Sequence, residues 1–407
     1  MRAMRIYIAI ALVLALLVPV LASAKGGEGE FASDRVLVKF KAGTSNVEKQ
    51  KVHTKHGGRV IDEIAEIGVQ VVQIPKGRVH EKVKGYKEEK VVEYVEPDYI
   101  VRLAGFPNDT GFSQQWGLHN TGTIEGSIPD ADIDAPEAWT VTAGRPDIKI
   151  AIVDTGIDQG HEDLADNITD NINFTTDEGY DDLFGHGTHV AGIAAAVTNN
   201  ATGVAGTAYE CSLMNVKVLD QQGSGFVSWV ASGIIWAANN GAKVINLSLG
   251  TSQPSVALKV AVDYAWAHGA VVVAAAGNDG SRKRVFPAFY KDCIAVAAST
   301  PADAKADFST YGGWVDIAAP GVQIYSTLPH DSSLITDYFQ TYEYGYLDGT
   351  SMATAFVSGV AGLVWASEYG TDNIAVRARI EDTADQVGEI WTTYRIPRVN
   401  AYNAVSP

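Results

Sequence analysis

Five short, near-continuous apolar runs constrain this chain more than any other feature. They are Asp147–Val153, Ser212–Val218, Lys243–Ser248, Ala270–Ala275 and Cys293–Ala297. Helical patterns lie between them, at about 187–198, 226–240 and 255–268. A strand with one face in water alternates polar and apolar residues, whereas a strand apolar throughout is buried on both faces. The pattern therefore predicts an α/β domain over residues 105–407, with a mainly parallel sheet covered by helices on both sides. In such sheets the functional side chains gather at the carboxyl ends of strands.

The N-terminal quarter reads differently. Arg2 and Arg5 precede the apolar run Ile6–Leu21, which is followed by Ala22-Ser23-Ala24. This is the pattern of a secretory signal peptide over residues 1–24, cut after Ala24. The run holds 16 residues and contains Pro19, short of the roughly 20 a bilayer-spanning helix needs. The expected product is secreted and extracellular, without a membrane attachment once the leader is gone. Residues 25–104 hold 15 Lys+Arg against 13 Asp+Glu, and residues 105–407 hold 14 against 35. The net charge of −17 excludes a dedicated nucleic-acid binder, which needs a basic face. An acidic surface serves solubility and can also hold cations.

Within residues 25–104, strand patterns at 35–40, 60–64, 68–74 and 91–97 alternate with helical patterns at 47–57 and 79–87. That is the β-α-β-β-α-β order of a small ferredoxin-like α/β module. It contains no cluster of nucleophile, base and orienting acid. Cys211 and Cys293 are the two cysteines of the chain, too few for a disulfide framework or a cysteine-based zinc site.

The larger segment holds such a cluster at its element ends. Asp154 follows the first strand in Asp154-Thr-Gly-Ile-Asp158, and His186 opens a helix in Gly185-His-Gly-Thr-His-Val-Ala-Gly192. Asn278 follows a strand in Ala275-Ala-Gly-Asn278, and Ser351 opens a small-residue helix in Gly349-Thr-Ser-Met-Ala-Thr354. A serine hydroxyl becomes a useful nucleophile when a histidine takes its proton. The histidine needs an acid to fix its tautomer. The oxyanion needs donors, which Asn278 and the Ser351 backbone N–H can supply. Singly, these residues also suit a strand-end turn, a helix cap and a turn after glycine. Those roles do not account for the set.

On these motifs the chain resembles the subtilisin family of serine proteases, the subtilases, and within it the thermitase-like group. The order Asp…His…Ser separates that family from α/β-hydrolases. The likeness runs from about Pro107 to the C-terminus and includes Gln115–Leu118, Val216–Leu219, Asn246–Gly250 and Trp314–Gly321. It implies a subtilisin-like three-layer fold and a secreted, self-processing serine endopeptidase, expected to be monomeric and to act on polypeptides. Asp154 would orient His186, His186 would serve as base and then acid, Ser351 would attack, and Asn278 would bind the oxyanion. The stretch Ser248-Leu249-Gly250 would pair with substrate as an added strand. Ala275 and Gly277 would wall the pocket for the residue before the cut, with Val285 at its base, implying large apolar P1 residues. His189 would be a packing residue.

The resemblance further implies a Ca²⁺ site. Asp109 and Asp163 would give carboxylates, Asn200 a side-chain oxygen, and Thr198, Thr202 and Val204 carbonyls, an all-oxygen set suited to calcium. A second acidic cluster, Asp177, Glu178, Asp181 and Asp182, reads either as a weaker cation site or as a solvated loop. Residues 25–104 would be the pro-segment, folding aid and intramolecular inhibitor, cut near Leu103 or Ala104. Cys211 and Cys293 are expected to be buried free thiols. Ala355 and Phe356 depart from the family's usual Pro and His, implying a slightly looser serine helix. Leu328–Tyr346, longer and more aromatic than usual, either edges the cleft or packs on the surface. Two other classes remain: a catalytically silent peptide-binding protein on the same scaffold, and a serine esterase of another fold.

Overall fold

The structure, a computed structural model, describes residues 31–99, 106–387, 394 and 396–407. The expected leader and the expected cut near Leu103 or Ala104 lie outside the described residues. The chain divides into two units on either side of the Leu103–Ala104 bond.

The first unit runs β1 (Phe31–Phe40), α1 (Asn46–His56), β2 (Arg59–Ile64), β3 (Val69–Gln73), α2 (Val79–Lys87) and β4 (Val92–Tyr99). Its sheet order is β2-β3-β1-β4, with antiparallel pairings throughout. That is the ferredoxin-like arrangement expected from the pattern. Ser45 starts α1 with a reciprocal capping box to Glu48, and Gly57 ends it in the left-handed conformation. Val36, Val38, Val72, Val79 and Tyr86 form the centre of the core. His53 is buried beside them, bonded at 3.0 Å to both Tyr86 and Gln70. Burial lowers its pKa, so the imidazole sits there neutral.

In the second unit, β5 (Lys149–Asp154), β6 (Ile168–Asn173), β7 (Ser212–Lys217), β8 (Ala242–Leu247), β9 (Val271–Ala275), β10 (Cys293–Ser299) and β11 (Ile317–Pro320) make a seven-stranded sheet. Its order is β11-β10-β9-β8-β5-β7-β6, and every pairing is parallel. The helices are α3 (Ala135–Trp139), α4 (His186–Ala195), α5 (Val227–Asn239), α6 (Val256–Ala267), α7 (Leu334–Phe339), α8 (Thr350–Ala366), α9 (Asn373–Asp382) and α10 (Ala401–Val405). Central β5 explains the unbroken apolar runs. Ile150 and Ile152 pack with Ile193 of α4 and Val360 of α8. Ala151 and Val153, on the opposite face, pack with Ile234 of α5 and Val262 of α6. Helices, sheet and helices form three layers, and each fully buried Val, Leu or Ile contributes about 1.5–3 kcal/mol.

Three features differ from the sequence pattern. First, α4 stops at Ala195, not near 198, because Ala196 turns extended and the Val197 N–H donates to the Asp163 carbonyl at 2.7 Å. Second, β6 was not evident, being a half-exposed edge strand with Thr, Asp and Asn in place of an apolar run. Third, Leu328–Tyr346 contains α7 and runs into β13 (Tyr344–Leu347), which pairs antiparallel with β12 (Ile324–Thr327) just ahead of the stretch. The Leu334 and Ile335 N–H groups donate to the Leu183 and Phe184 carbonyls at 3.2 and 2.9 Å, just ahead of His186. Helix α8 runs unbroken through Ala355, a residue with full helix propensity. Phe356 is buried with its ring against Gly117, where an added methyl would lie 2.6 Å from it. Both cysteines are free and buried. Among the described residues, no helix is long and apolar enough to cross a membrane.

Candidate active site

Asp154 is the last residue of β5 and His186 the first of α4. His186 Nδ1 lies 2.7 Å from Asp154 Oδ1. The Asp154 side chain is fully buried, and its Oδ1 also accepts the Thr155 N–H at 2.8 Å. Burial acts against a charged His186. The Asp154 charge and hydrogen bond, with a smaller push from Asp182, outweigh it and hold the His186 pKa above the ordinary histidine value.

The sequence did not reveal what holds this pair. Asp182 is buried four residues before His186. Its Oδ1 accepts Thr155 Oγ1, Phe184 N and Gly185 N at 2.7, 3.1 and 2.7 Å. Its Oδ2 accepts Thr188 N and Thr188 Oγ1, both at 2.8 Å. Asp182 thereby caps α4 and ties it to the strand end. Asp177 is 3.2 Å from the fully buried Lys217, whose Nζ donates to the Thr155 carbonyl at 2.5 Å. Of the second acidic cluster, Asp182 is thus held by protein donors and Asp177 forms an ion pair with Lys217, and neither is a solvated surface carboxylate. Gly187 permits the close approach, since a methyl group on it would lie 2.1 Å from the Gly156 carbonyl oxygen and 3.2 Å from Asp154 Cβ. His189 is fully buried with Nε2 near the Ile324 and Gly345 carbonyls at 3.1 and 3.2 Å. Burial pushes its pKa down to about 3, so it is a neutral packing residue.

Ser351 sits in the first turn of α8, where backbone N–H groups have no partner within the helix. Asn278 presents Oδ1 to the N–H and the hydroxyl of Thr350, both at 2.9 Å. That leaves its amide NH₂ to face outward. A methyl group on Gly349 would sit 3.5 Å from Asn278 Nδ2 and 3.6 Å from the Ser351 nitrogen. Both nitrogens, with Met352 Sδ at 3.5 Å, are therefore neighbours of Gly349. Ser351 Oγ donates to the Ser248 carbonyl at 3.1 Å, and Ser248 Oγ donates back to the Ser351 carbonyl at 2.8 Å. Asn246 Nδ2 donates to Ser248 Oγ at 2.9 Å and Ser358 Oγ donates to Asn246 Oδ1 at 2.9 Å, fixing the segment from beneath. Among the described residues Ser351 makes no hydrogen bond to His186. Such bonds are often long without substrate and tighten when it binds.

The two remaining groups of expected residues are also brought together. One cavity is lined by His186, Phe184, Ser248, Leu249, Gly250 and Phe286 among others. Thr251 and Phe286 exchange N–H···O bonds of 2.8 and 2.9 Å, which joins this segment to the one carrying Val285. Methyls on Gly250 and Gly277 would lie 2.6 and 2.9 Å from the two Val285 γ-methyls, so Val285 stands between both segments. Ala275 ends β9, two residues before Gly277. Elsewhere in the unit, Asp109 and Asp163 are buried and face the 198–204 loop. Asp109 accepts the Asn199 and Asn200 N–H groups at 2.9 and 3.4 Å. Asp163 accepts Asn200 Nδ2 at 2.6 Å and the Val204 N–H at 2.7 Å. Asn200 therefore shows Asp163 its nitrogen, while its oxygen accepts the Thr202 N–H at 2.8 Å. Thr198 Oγ1 accepts the Gly206 N–H at 3.0 Å. Burial, and the repulsion of Asp163, raise the Asp109 pKa, and burial raises that of Asp163. Among the described residues neither carboxylate has an ion pair. Gly203, with φ of 47°, leaves no room for a side chain, since a methyl would lie 2.0 Å from Asp163 Oδ2. Two buried carboxylates without a cation fit a hard divalent ion.

Comparison with known proteins agrees in both units. The Subtilase family matches residues 145–400. The fervidolysin N-terminal prodomain matches residues 19–98. A thermophilic serine proteinase of Bacillus sp. (strain AK1) is 41% identical over 382 residues, covering 93% of this chain and 89% of that protein. Thermitase of Thermoactinomyces vulgaris is 48% identical over 301 residues, covering 74% and 99%. Among solved structures, a protease of Pseudoalteromonas arctica PAMC 21717 aligns with a TM-score of 0.65 at 31% identity, covering 74% of this chain and 98% of its own. With a prodomain ahead of a parallel-sheet unit of this kind, the chain belongs to the subtilase family of serine proteases.

Proposed function

We propose that the chain is an exported, self-processing endopeptidase that cuts peptide bonds through Ser351. The observation that carries this reading is the 2.7 Å contact of His186 Nδ1 with the fully buried Asp154, His186 lining the same cavity as Ser248, whose carbonyl accepts the Ser351 hydroxyl at 3.1 Å. Neither a capping nor a turn-forming role requires it. In the proposed reaction His186 Nε2 takes the Ser351 proton as Oγ attacks the scissile carbonyl. Asp154 keeps the other His186 proton on Nδ1 and stabilises the imidazolium. The tetrahedral oxyanion accepts from the Ser351 backbone N–H and Asn278 Nδ2. His186 then protonates the leaving amine, and water hydrolyses the acyl-enzyme by the same relay. Ser248–Gly250 pairs with the substrate backbone. Ala275, Gly277 and the apolar Val285 favour a large apolar P1 side chain.

Asp109, Asp163 and Asn200, with the Thr198, Thr202 and Val204 carbonyls, would hold Ca²⁺, for which Asn200 has to turn its oxygen inward. When bound, the ion supplies positive charge that neutralises the two buried carboxylates. Residues 25–104 act as pro-segment and intramolecular inhibitor, after a leader directs export. The test is the intact mass of residues 25–407 refolded with calcium, wild type beside Ser351→Ala. A split near residue 104 in the wild type alone supports both the nucleophile and self-processing. Two uncut chains, together with no labelling of Ser351 by a serine-directed phosphonate, would make it a silent peptide-binding protein.

A further inference from the structure

Two histidines and a carboxylate outside the active site face one another, and none of the roles above uses them. His161 and Glu162 follow β5, and His330 lies between β12 and α7. One ligand atom from each falls within 4.8 Å of the others. His330 Nε2 is 2.7 Å from Glu162 Oε2, and His161 Nδ1 is 3.9 Å from the same oxygen. The far nitrogens are both held by oxygens. His161 Nε2 is 2.9 Å from the Glu343 carbonyl, which only accepts, so Nε2 carries the proton and Nδ1 the lone pair. His330 Nδ1 donates to Asp158 Oδ2 at 2.9 Å. Each ring thus gives its distal N–H to an oxygen; His330 Nε2 meets Glu162 directly, while His161 Nδ1 accepts the Asp163 N–H at 3.1 Å with the Glu162 carboxylate 3.9 Å away. Metal-bound histidines are oriented by outer partners in this same way.

We propose that His161 Nδ1, His330 Nε2 and Glu162 Oε2 bind a zinc-type divalent ion, with water as fourth ligand. Two imidazoles and one carboxylate suit such an ion, while calcium takes oxygens. Tetrahedral bonds of about 2.0–2.2 Å separate neighbouring ligands by roughly 3.3–3.5 Å. The shorter of the two observed contacts has to open and the longer to close by about half an ångström or a little more. The ion replaces the proton that His330 and Glu162 share, which leaves to solvent. It also displaces the Asp163 N–H, which now donates to His161 Nδ1 at 3.1 Å. The His161 side chain is fully buried, but those of Glu162 and His330 are 40% and 34% exposed, so the ion has a path from solvent and room for its water. Once bound, it links the segment after Asp154 to Leu328–Tyr346, which packs on the loop ahead of His186.

The test uses Ser351→Ala protein saturated with calcium, titrated with Zn²⁺ by calorimetry and with Co²⁺ by visible absorption. One equivalent should bind, and Co²⁺ should give the intense bands of four-coordinate geometry. His330→Ala should weaken Zn²⁺ binding at least tenfold and abolish those bands, as outer partners alone are commonly worth about 10–100-fold. Glu162→Gln should do the same and serves should His330→Ala fail to fold. His186→Ala should leave both signals unchanged. Absence of binding, or binding that survives His330→Ala and Glu162→Gln, overturns the proposal. Binding lost only in His186→Ala places the ion at the active site and overturns it equally.

Discussion

His186 stands between opposing influences, and their balance sets a measurable pH dependence. Its pKa is raised because Asp154 outweighs burial. Only the neutral ring can accept the Ser351 proton, so activity should be lost as pH falls through that raised value. The acid limb of kcat/KM should therefore lie above the ordinary histidine value of about 6.5. Asp154→Asn should move that limb downward while cutting kcat by roughly 10⁴, the loss known for this substitution in a serine-protease triad. Asn278→Ala should lower kcat by about 10²–10³ with little change in KM, the loss known for the oxyanion donor of subtilisin itself. A change confined to KM would make Asn278 a substrate-binding residue. Asp154 ends β5, His186 opens α4, Ser351 is the second residue of α8 and Asn278 lies three residues past β9, so the sequence motifs could single out all four as candidates near element ends. Asp182 was not legible in that way. Four of its five donors are the groups of Thr155, Gly185 and Thr188, and only the folded chain aims them at one carboxylate.

At the level of elements, the start of α4 and the loop after its end carry the polar constraints, and each gives a stability prediction. Asp182→Ala removes a buried acceptor from five donors and should destabilise Ser351→Ala protein by about 1–3 kcal/mol or more in denaturant unfolding. An unchanged midpoint would mean that water replaces the carboxylate. Beyond α4, the 198–204 loop presents backbone N–H groups and Asn200 to two buried carboxylates. Calcium at 100 times its Kd should stabilise by about 2.7 kcal/mol, and chelation should lower Tm accordingly. In Asp163→Asn the chelator should no longer shift Tm. The same elements show where sequence reading ended. Strands β5, β7, β8, β9 and β10 are buried on both faces and announce themselves by composition. Edge strand β6, paired on one side only, needs no apolar run and has none. Strands β12 and β13 hold four residues each, too few to establish a period.

Across the whole molecule, a seven-stranded parallel sheet threads residues far apart in sequence, from Lys149 to Pro320. Loop-closure entropy has to be met before such pairings stabilise anything, so parallel sheets fold slowly. The first unit is built differently. Its antiparallel strands lie within residues 31–99, its helix α1 has its own capping box, and its core closes locally. It can form early and act as a template if residues 25–104 assist folding. Ser351→Ala chains remove self-cleavage from the comparison. Residues 105–407 alone, diluted from denaturant with calcium, should regain near-ultraviolet circular dichroism far more slowly than residues 25–407. Separately made 25–104 peptide should restore the rate in proportion to its concentration, and should also inhibit mature enzyme competitively against a peptide substrate. Acceleration without inhibition would leave the segment a folding aid alone. Inhibition without acceleration would leave the segment an inhibitor alone and place the slow step within residues 105–407, where refolding rates measured against calcium concentration would show whether assembly of the calcium loop sets it.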